Sequence, residues 1–456
     1  MAKKLPLPKK TAGSRELAMH ILTRVEEDQA YSNLLLNQTI AKHTLKREDI
    51  SLLTELVYGT IQRLNTIDFF LEDFVQSGLK KLDVLVKNLL RLSFYQLYYL
   101  EKIPPHAVVN EAVNIAKQYG HRGISGMVNG ILRSVLRQKD QLAIPADLPA
   151  AKRIALEFSH PEWLVEHWIG QYGERKAERI CRANNETPHV SIRVNTRRLS
   201  REQELAKLVH EGIMAEASPL AQEGIIVRHA GNMALTAAYE QGDYSIQDES
   251  SMLVAHAVAP EAGMRVLDCC AAPGGKTMHM AELMNDQGEL WACDVHEHKE
   301  KLLKDQAKRL HLDSIRTKAV DARELHKQFP PESFERILVD APCSGLGVIR
   351  RKPDVKWRKT ADELAAITDV QHDILDAVSG LLAPGGILVY STCTLSYEEN
   401  QGMVQTFLQE HADYQLAEFT GDFPLKQDSP KGMVEILPDE YHSDGFFIAR
   451  MQKKRA

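Results

Sequence analysis

Five short apolar runs between residues 264 and 394 constrain this chain more than any other feature. They read MRVLDCC, GELWACD, SIRTKAVD, RILVDAPC and GGILVYSTCT. Each is too far from the next for a hairpin, and helix-length stretches of mixed polarity lie between them. That pattern predicts parallel strands buried on both faces, with helices as the crossovers. Residues 241–456 are therefore expected to form an α/β, Rossmann-like domain.

Two segments of different character precede it. Residues 1–142 carry helical periodicity throughout. Leu17, Ile21, Leu22 and Val25 share one face, as do Leu53, Leu56, Val57 and Ile61. Ser14 is placed to cap the first helix, and Pro104-Pro105 ends another. IPADLP at 144–149 reads as a linker. Residues 150–240 alternate at Val190–Asn195, carry a capping box at Ser200–Gln203 and a second strand in GIIVRHA. A small α+β domain is expected there. Arg193 and Asn195 fall on the polar side of its first strand, where an open face would let them touch nucleic acid. The chain thus reads as multidomain.

With 456 residues, 44% hydrophobic and 26% charged, a large globular core is available. The net charge of −6 hides a split: residues 1–140 hold 20 Lys/Arg against 14 Asp/Glu, a net +6, which leaves −12 for the rest. A basic module on an acidic body suits a polyanionic partner. No apolar run reaches the roughly 18 residues of a membrane span. The start, MAKKLPLPKK, has no apolar segment behind it, so no secretory signal is expected. The six cysteines include no Cys-x-x-Cys and no Cys/His set with zinc spacing. A cytoplasmic chain with free thiols, no metal and a monomeric state is the expectation.

The loop CCAAPGGKT, residues 269–277, misses the phosphate-loop signature because Cys270 stands where its first glycine should be. Ligands of an open parallel sheet sit beyond the carboxyl ends of its strands. Asp268, Asp294, Asp321 and Asp340 stand at four of those ends. Asp294 lies 20 residues past Gly274, where a ribose acceptor belongs. Four carboxylates would repel a triphosphate. They suit an adenosine bearing a positive centre, and S-adenosylmethionine is such a molecule. Lys276 then needs a carboxylate partner.

Cys343 and Cys393 follow the fourth and fifth runs. If those strands are neighbours, both thiols reach one edge. A thiol beside a methyl donor suits carbon 5 of cytosine, which becomes nucleophilic once a thiolate adds to carbon 6. Either cysteine could be that nucleophile, and Asp340 could serve ring N3. Beyond Cys343, Arg350, Arg351, Lys352, Lys356, Arg358 and Lys359 surround Trp357. A basic stretch with an aromatic can hold a phosphate backbone and stack a base.

CCAAPGGKT, DAPCSG with RRKPD behind it, STCTLSYEEN and QDESS (247–251) resemble the RNA cytosine-5 methyltransferases of the Sun/Fmu type. LVYGT, RLSFYQLYYL, HAVVNEAVNIAK and VNGILR are similar to the NusB fold. The resemblance implies a NusB-like amino-terminal domain, an RNA-recognition-like middle domain and a methyltransferase domain. It implies S-adenosylmethionine on Cys270, Ala271, Ala272, Pro273, Gly274, Gly275, Lys276, Asp294, Asp321 and Asp340. It implies Cys393 as nucleophile and Cys343 in product release. Its substrate would be 16S rRNA, naked or in an assembling small subunit, at cytosine 967. A phosphate-loop nucleotidase and a non-catalytic RNA-binding scaffold are the competing readings.

Overall fold

The computed structural model describes residues 8, 12–228, 231–421, 423–425 and 431–455. The basic start, apart from Pro8, and His229 and Ala230 of the expected GIIVRHA strand lie outside the described residues. The chain divides into two compact units, Met1–Asn185 with Arg351–Arg358, and Glu186–Arg350 with Lys359–Ala456.

The first unit is helical, as its periodicity predicts. Helices Arg47–Gln62, Pro105–Tyr119 and Arg122–Gln138 each bury one stripe, whereas Ser14–Glu27 is buried on all sides from Leu17 to Thr23. Val84–Tyr99 is buried on nearly all sides, its Asn88, Arg91, Ser93 and Gln96 included, and Arg91 pairs with Glu26 and Asp68. Ser14 does not cap the first helix. Gly13 is the cap, and the Ser14 hydroxyl donates to the Asp49 carbonyl at 3.0 Å instead. Pro105 takes the first helical position after Pro104, where its missing N–H costs nothing.

Helices Ala150–Glu157, Glu162–Tyr172 and Glu174–Ala183 pack within this unit rather than with the α+β region expected from residue 150. Thr66 Oγ1 donates to the Leu156 carbonyl at 2.5 Å, and Asn65 Nδ2 to those of Ala155 and His160 at 3.2 and 3.1 Å. Leu164, Val165 and Trp168 are wholly buried. By packing, the boundary falls between residues 185 and 186.

The basic-aromatic stretch also belongs partly to the helical unit. Trp357 packs against its core and donates its indole N–H to the Ile61 carbonyl at 2.7 Å. Lys356 is wholly buried, with Nζ on the Gln62 carbonyl at 3.0 Å. Asp354 accepts from the Ser32 hydroxyl at 2.7 Å, and the Arg358 guanidinium lies 4.0 Å over the Tyr31 ring. Local composition suggested a solvated RNA-stacking loop. The segment is instead a peg whose aromatic is already packed, which corrects the reading of Trp357 as a base-stacking residue.

The second unit holds two sheets. The smaller is antiparallel, in order β2-β3-β1-β4, from β1 (Val190–Val194), β2 (Met214–Ala217), β3 (Gly224–Arg228) and β4 (Tyr244–Ile246). The larger contains β5 (Arg265–Asp268), β6 (Glu289–Asp294), β7 (Ile315–Ala319), β8 (Phe334–Asp340) and β9 (Leu382–Thr392), parallel in order β9-β8-β5-β6-β7. These are the five apolar runs. Three further strands, β10 (Tyr414–Leu416), β11 (Met433–Ile436) and β12 (Phe446–Lys453), extend the sheet antiparallel beyond β9. Among the described residues no helix is long and apolar enough to cross a membrane.

Trp357→Ala removes a packed indole and leaves the Ile61 carbonyl short of a donor, so it should destabilise the protein by about 2–4 kcal/mol. Lys352→Ala, at an exposed position, should change stability by less than about 0.5 kcal/mol. Urea midpoints of the two variants check the contrast.

Candidate active site

Strands β8 and β9 are parallel neighbours, with Asp340 opposite Ser391. Three residues past the one is Cys343, and two past the other is Cys393. The register therefore carries both thiols to one edge, with their sulfurs 3.3 Å apart. The Cys343 thiol is held well above the usual thiol range by its hydrogen bond to Cys393, then by burial, then by charge on Cys393. Either thiol can be the donor of that hydrogen bond.

The ends of the other strands converge on the same edge. Asp340 Oδ2 accepts from Lys276 Nζ at 2.7 Å and its Oδ1 from the Ser391 hydroxyl at 2.9 Å. Lys276 thus has its carboxylate partner. Burial lowers the Lys276 pKa, but Asp340 more than offsets this and Cys393 adds to the rise, so the ammonium persists. Asp268 Oδ2 accepts from the Thr277 hydroxyl at 2.7 Å. Asp294 receives the Ala272 amide at 3.3 Å and the His296 amide at 3.1 Å. Asp321 caps its own turn through the Arg323 amide and pairs with the Arg323 guanidinium at 2.7 Å.

One half-buried thiol registers how closely these carboxylates gather. Cys270 is pushed well above its ordinary value by burial, then by Asp268, Asp340, Asp294 and Asp321 together. Asp268 is pushed up to about 7, by burial first and by the Asp340 charge. The turn between is built for close approach. Gly274 has φ of 109°, and a side chain there would meet Leu303 at 3.0 Å and Met278 at 3.2 Å. A carboxylate edge in which Asp340 is paired with Lys276, Asp294 with Lys299 at 3.3 Å and Asp321 with Arg323 fits a ligand with ribose hydroxyls. It does not fit a triphosphate, since the lysine that would reach phosphate is held by Asp340.

Glu399 was not singled out from the sequence, yet it joins the two thiol loops. It is wholly buried. Oε2 accepts from the Ser344 amide at 2.8 Å and from Gln371 Nε2 at 3.0 Å. Oε1 accepts from the Ser344 hydroxyl at 2.5 Å and the Thr394 hydroxyl at 3.3 Å. The sequence signal was present: each cysteine is followed by a hydroxyl residue, and a glutamate stands six positions past Cys393. The loops are also joined through backbone. Gly347 N donates to the Cys393 carbonyl at 2.9 Å, and a side chain at Gly347 would come within 2.1 Å of the Gly445 oxygen.

Two expected RNA contacts are not available for that role. Arg193 lies on no open face: it is wholly buried and paired with Glu282 at 2.9 Å. Arg350 is buried as well, with Nη1 on the Ser443 carbonyl at 3.2 Å. Arg351 is half-buried and Lys352 exposed. QDESS (247–251) is scaffolding: Asp248 caps helix Glu249–Val258, and Glu249 accepts from the Ser191 hydroxyl at 2.6 Å and from His189 at 2.9 Å. Among the described residues one His/carboxylate group has metal-like spacing, Glu223 with His256 and His279. Both imidazoles reach one carboxylate, at 3.0 and 2.7 Å. His279 Nδ1 is buried without a partner. A metal-bound imidazole would carry its proton there with no acceptor. The trio reads as a hydrogen-bonded brace.

Comparison with known proteins decides the family. The Probable ribosomal RNA small subunit methyltransferase B of Bacillus subtilis is 44% identical over 453 residues, 98% of this chain and 100% of that protein. The chain belongs to the RsmB/F family of 16S rRNA methyltransferases. The family model for 16S rRNA methyltransferase RsmB/F matches residues 255–452, the NusB family model 12–137, and the RsmF/B-like ferredoxin-like domain 160–234. A Ribosomal RNA small subunit methyltransferase B of Salmonella paratyphi B is 34% identical over 98% of this chain and 100% of its own length. The crystal structure of PH0851 superposes with a TM-score of 0.82 at 25% identity, covering 99% of this chain and all of that one. NSun6 from Pyrococcus horikoshii with SFG superposes with a TM-score of 0.58 at 25% identity, over 65% of this chain and 99% of that one. This RsmB/F family member is thus an S-adenosylmethionine-dependent rRNA methyltransferase, which sets aside the nucleotidase and scaffold readings.

Two measurements test this geometry. Glu399→Gln should lower kcat about 10- to 100-fold by loosening the two thiol loops, while the Kd for S-adenosylmethionine stays within about 2-fold of wild type. For Asp268, whose folded pKa is raised from 3.8 to about 7, folding favours the protonated form. The cost is absent below the unfolded value, grows as pH rises, and is complete above the folded one. Asp268→Asn should therefore match wild-type stability near about pH 4 and exceed it near about pH 8, by up to about 3 kcal/mol. A stability difference independent of pH would contradict this account.

Proposed function

We propose that this enzyme methylates carbon 5 of a cytosine in 16S rRNA, cytosine 967 by its resemblance, through a covalent adduct on Cys393. The observation that carries the reading is the pair of sulfurs 3.3 Å apart at the strand edge, beside the Lys276–Asp340 pair. When bound, S-adenosylmethionine supplies an electrophilic methyl group. Cys270 to Lys276, Asp294, Asp321 and Asp340 would hold it.

Cys393 adds as thiolate to carbon 6 of the ring. Lys276 and the Cys343 thiol favour that thiolate, the first by charge and the second by donating a hydrogen bond. The proton that Lys276 donates to Asp340 in the resting pair passes through Asp340 to ring N3 as electrons move into the ring. Carbon 5, now enamine-like, would displace the methyl group from the sulfonium and leave a thioether behind. A base then takes the carbon-5 proton, which re-forms the double bond and expels Cys393 as thiolate. Cys343 stands at the adduct and serves this release. The family assigns the nucleophile to the Thr-Cys motif, and the closeness of Cys393 to Lys276 supports that order. The target base must be unstacked to reach the thiols, which favours a loop or bulge of rRNA, alone or in an assembling small subunit in the cytoplasm.

Cys393→Ala should abolish methyl transfer while rRNA binding persists. Cys343→Ala should accumulate a covalent protein–RNA adduct, seen as a slow band on a denaturing gel. An adduct that forms without Cys393 and requires Cys343 would reverse the two roles. Bisulfite mapping of rRNA from a strain lacking the gene should show one unmodified cytosine at position 967.

A further inference from the structure

Three consecutive residues at the start of helix Gly275–Leu283 are each fastened to a different strand. Thr277 donates to Asp268 at the end of β5, and Lys276 to Asp340 at the end of β8. The Gly275 carbonyl accepts from Arg193 Nη1 at 2.7 Å, and Arg193 belongs to β1 of the small antiparallel sheet. The same guanidinium holds Glu282 two turns further on, through Nε at 3.2 Å and Nη2 at 2.9 Å, and it also bonds Gln247. Gln247 in turn donates to Ser251 at 3.1 Å.

Helix stability does not account for this cation. The amino end of a helix carries partial positive charge, so a guanidinium in its first turn is disfavoured. A buried ion pair contributes little net stability compared with apolar residues of similar volume, and its best-attested use is to fix register. What the guanidinium does uniquely is bridge two points on one helix from a strand of another sheet. Its fork geometry serves both at once, which an ammonium cannot do.

We propose that Arg193 is a positioning residue for the cofactor: the small sheet holds the Ala271–Lys276 turn in its binding geometry through the Gly275 carbonyl. This rests on the reading of that turn as the S-adenosylmethionine site. It also gives the small sheet a part in the reaction separate from RNA recognition.

The test uses the full-length protein, titrated calorimetrically with S-adenosylmethionine and by filter binding with rRNA. Arg193→Met/Glu282→Met replaces the ion pair with apolar side chains and should keep Tm at or above wild type. Its Kd for S-adenosylmethionine should still weaken at least 10-fold, because Gly275 has lost its charged donor. The KM for the cofactor should rise accordingly, with kcat at saturation and the rRNA Kd within about 3-fold of wild type. Arg193→Lys keeps a cation against Glu282, so it should fold and still weaken cofactor binding about 5-fold or more. Asp294→Asn reports on the site itself. If it weakens cofactor binding while both Arg193 variants bind within 2-fold of wild type, the proposal for Arg193 falls and the site stands. If none of the three weakens binding, the site reading falls and takes the proposal with it. Loss of rRNA affinity with cofactor affinity intact would make Arg193 an RNA contact and overturn the proposal.

Discussion

The parallel pairing of β8 with β9 is the constraint on which the site depends. Asp340 and Ser391 face each other in register. That match decides that Asp340 meets Ser391 and Lys276, and that the residues just beyond deliver two sulfurs to one place. A slip of one residue would turn every side chain of a strand to the opposite face. The irregularity in this pair lies between Phe334 and Arg336, at the far end from the thiols. Towards the site the strands are locked by burial: Leu338, Val339, Val389 and Tyr390 are wholly inaccessible. An apolar core therefore sets the chemistry at its edge, and Glu399 and the Gly347–Gly445 crossing carry that order into the loops, where no ladder reaches.

The electrostatics follow from where each charge is placed. A ring of four carboxylates would be costly if left alone. One is neutralised by Lys276, one is capped within its own turn and paired with Arg323, one is bonded by two amides and paired with Lys299, and one tends toward its protonated form because it is buried. The same crowding makes Cys269, Cys270 and Cys293 poor nucleophiles, since burial and nearby negative charge keep each thiol protonated. Of the cysteines in this unit, Cys393 is the one beside both the Lys276 ammonium and a second thiol, 3.3 Å away. Selectivity among cysteines thus comes from surroundings rather than from intrinsic reactivity.

The strands of the central sheet were legible because apolar runs of strand length form strands. The meeting of Cys343 with Cys393 was legible only on the condition that the fourth and fifth are neighbours, since consecutive runs need not be: β7 and β8 are separated by β5 and β6. What escaped the sequence depends on non-local packing. Alternation placed Arg193 on a polar side of β1, and polar sides are read as solvated. Here helices Glu249–Val258 and Gly275–Leu283 cover that side, so Ser191 and Arg193 meet Glu249 and Glu282 rather than water. Around Trp357, basic residues suggested a nucleic-acid loop, but the indole found an acceptor in a helix almost 300 positions earlier. Strands β10 to β12 are hard to read for another reason: two are only three or four residues long and owe their existence to β12 beside them. Glu399 was hidden by its type, because a glutamate in a polar stretch is normally exposed.

Arg193–Glu282, Ser344–Glu399 and Glu223 with its two histidines share one feature. Each is a buried polar contact between segments far apart in sequence. Apolar side chains could fill the same space with equal or greater stability. They would not select one alignment, because apolar surfaces slide past each other at little cost, whereas a carboxylate missing its donors by an ångström is buried and unpaired. A strand edge that holds two sulfurs 3.3 Å apart benefits from that intolerance. Stability alone would favour a more apolar interior at these three places, and the polar pairs keep the Ala271–Lys276 turn and the thiol loops in register.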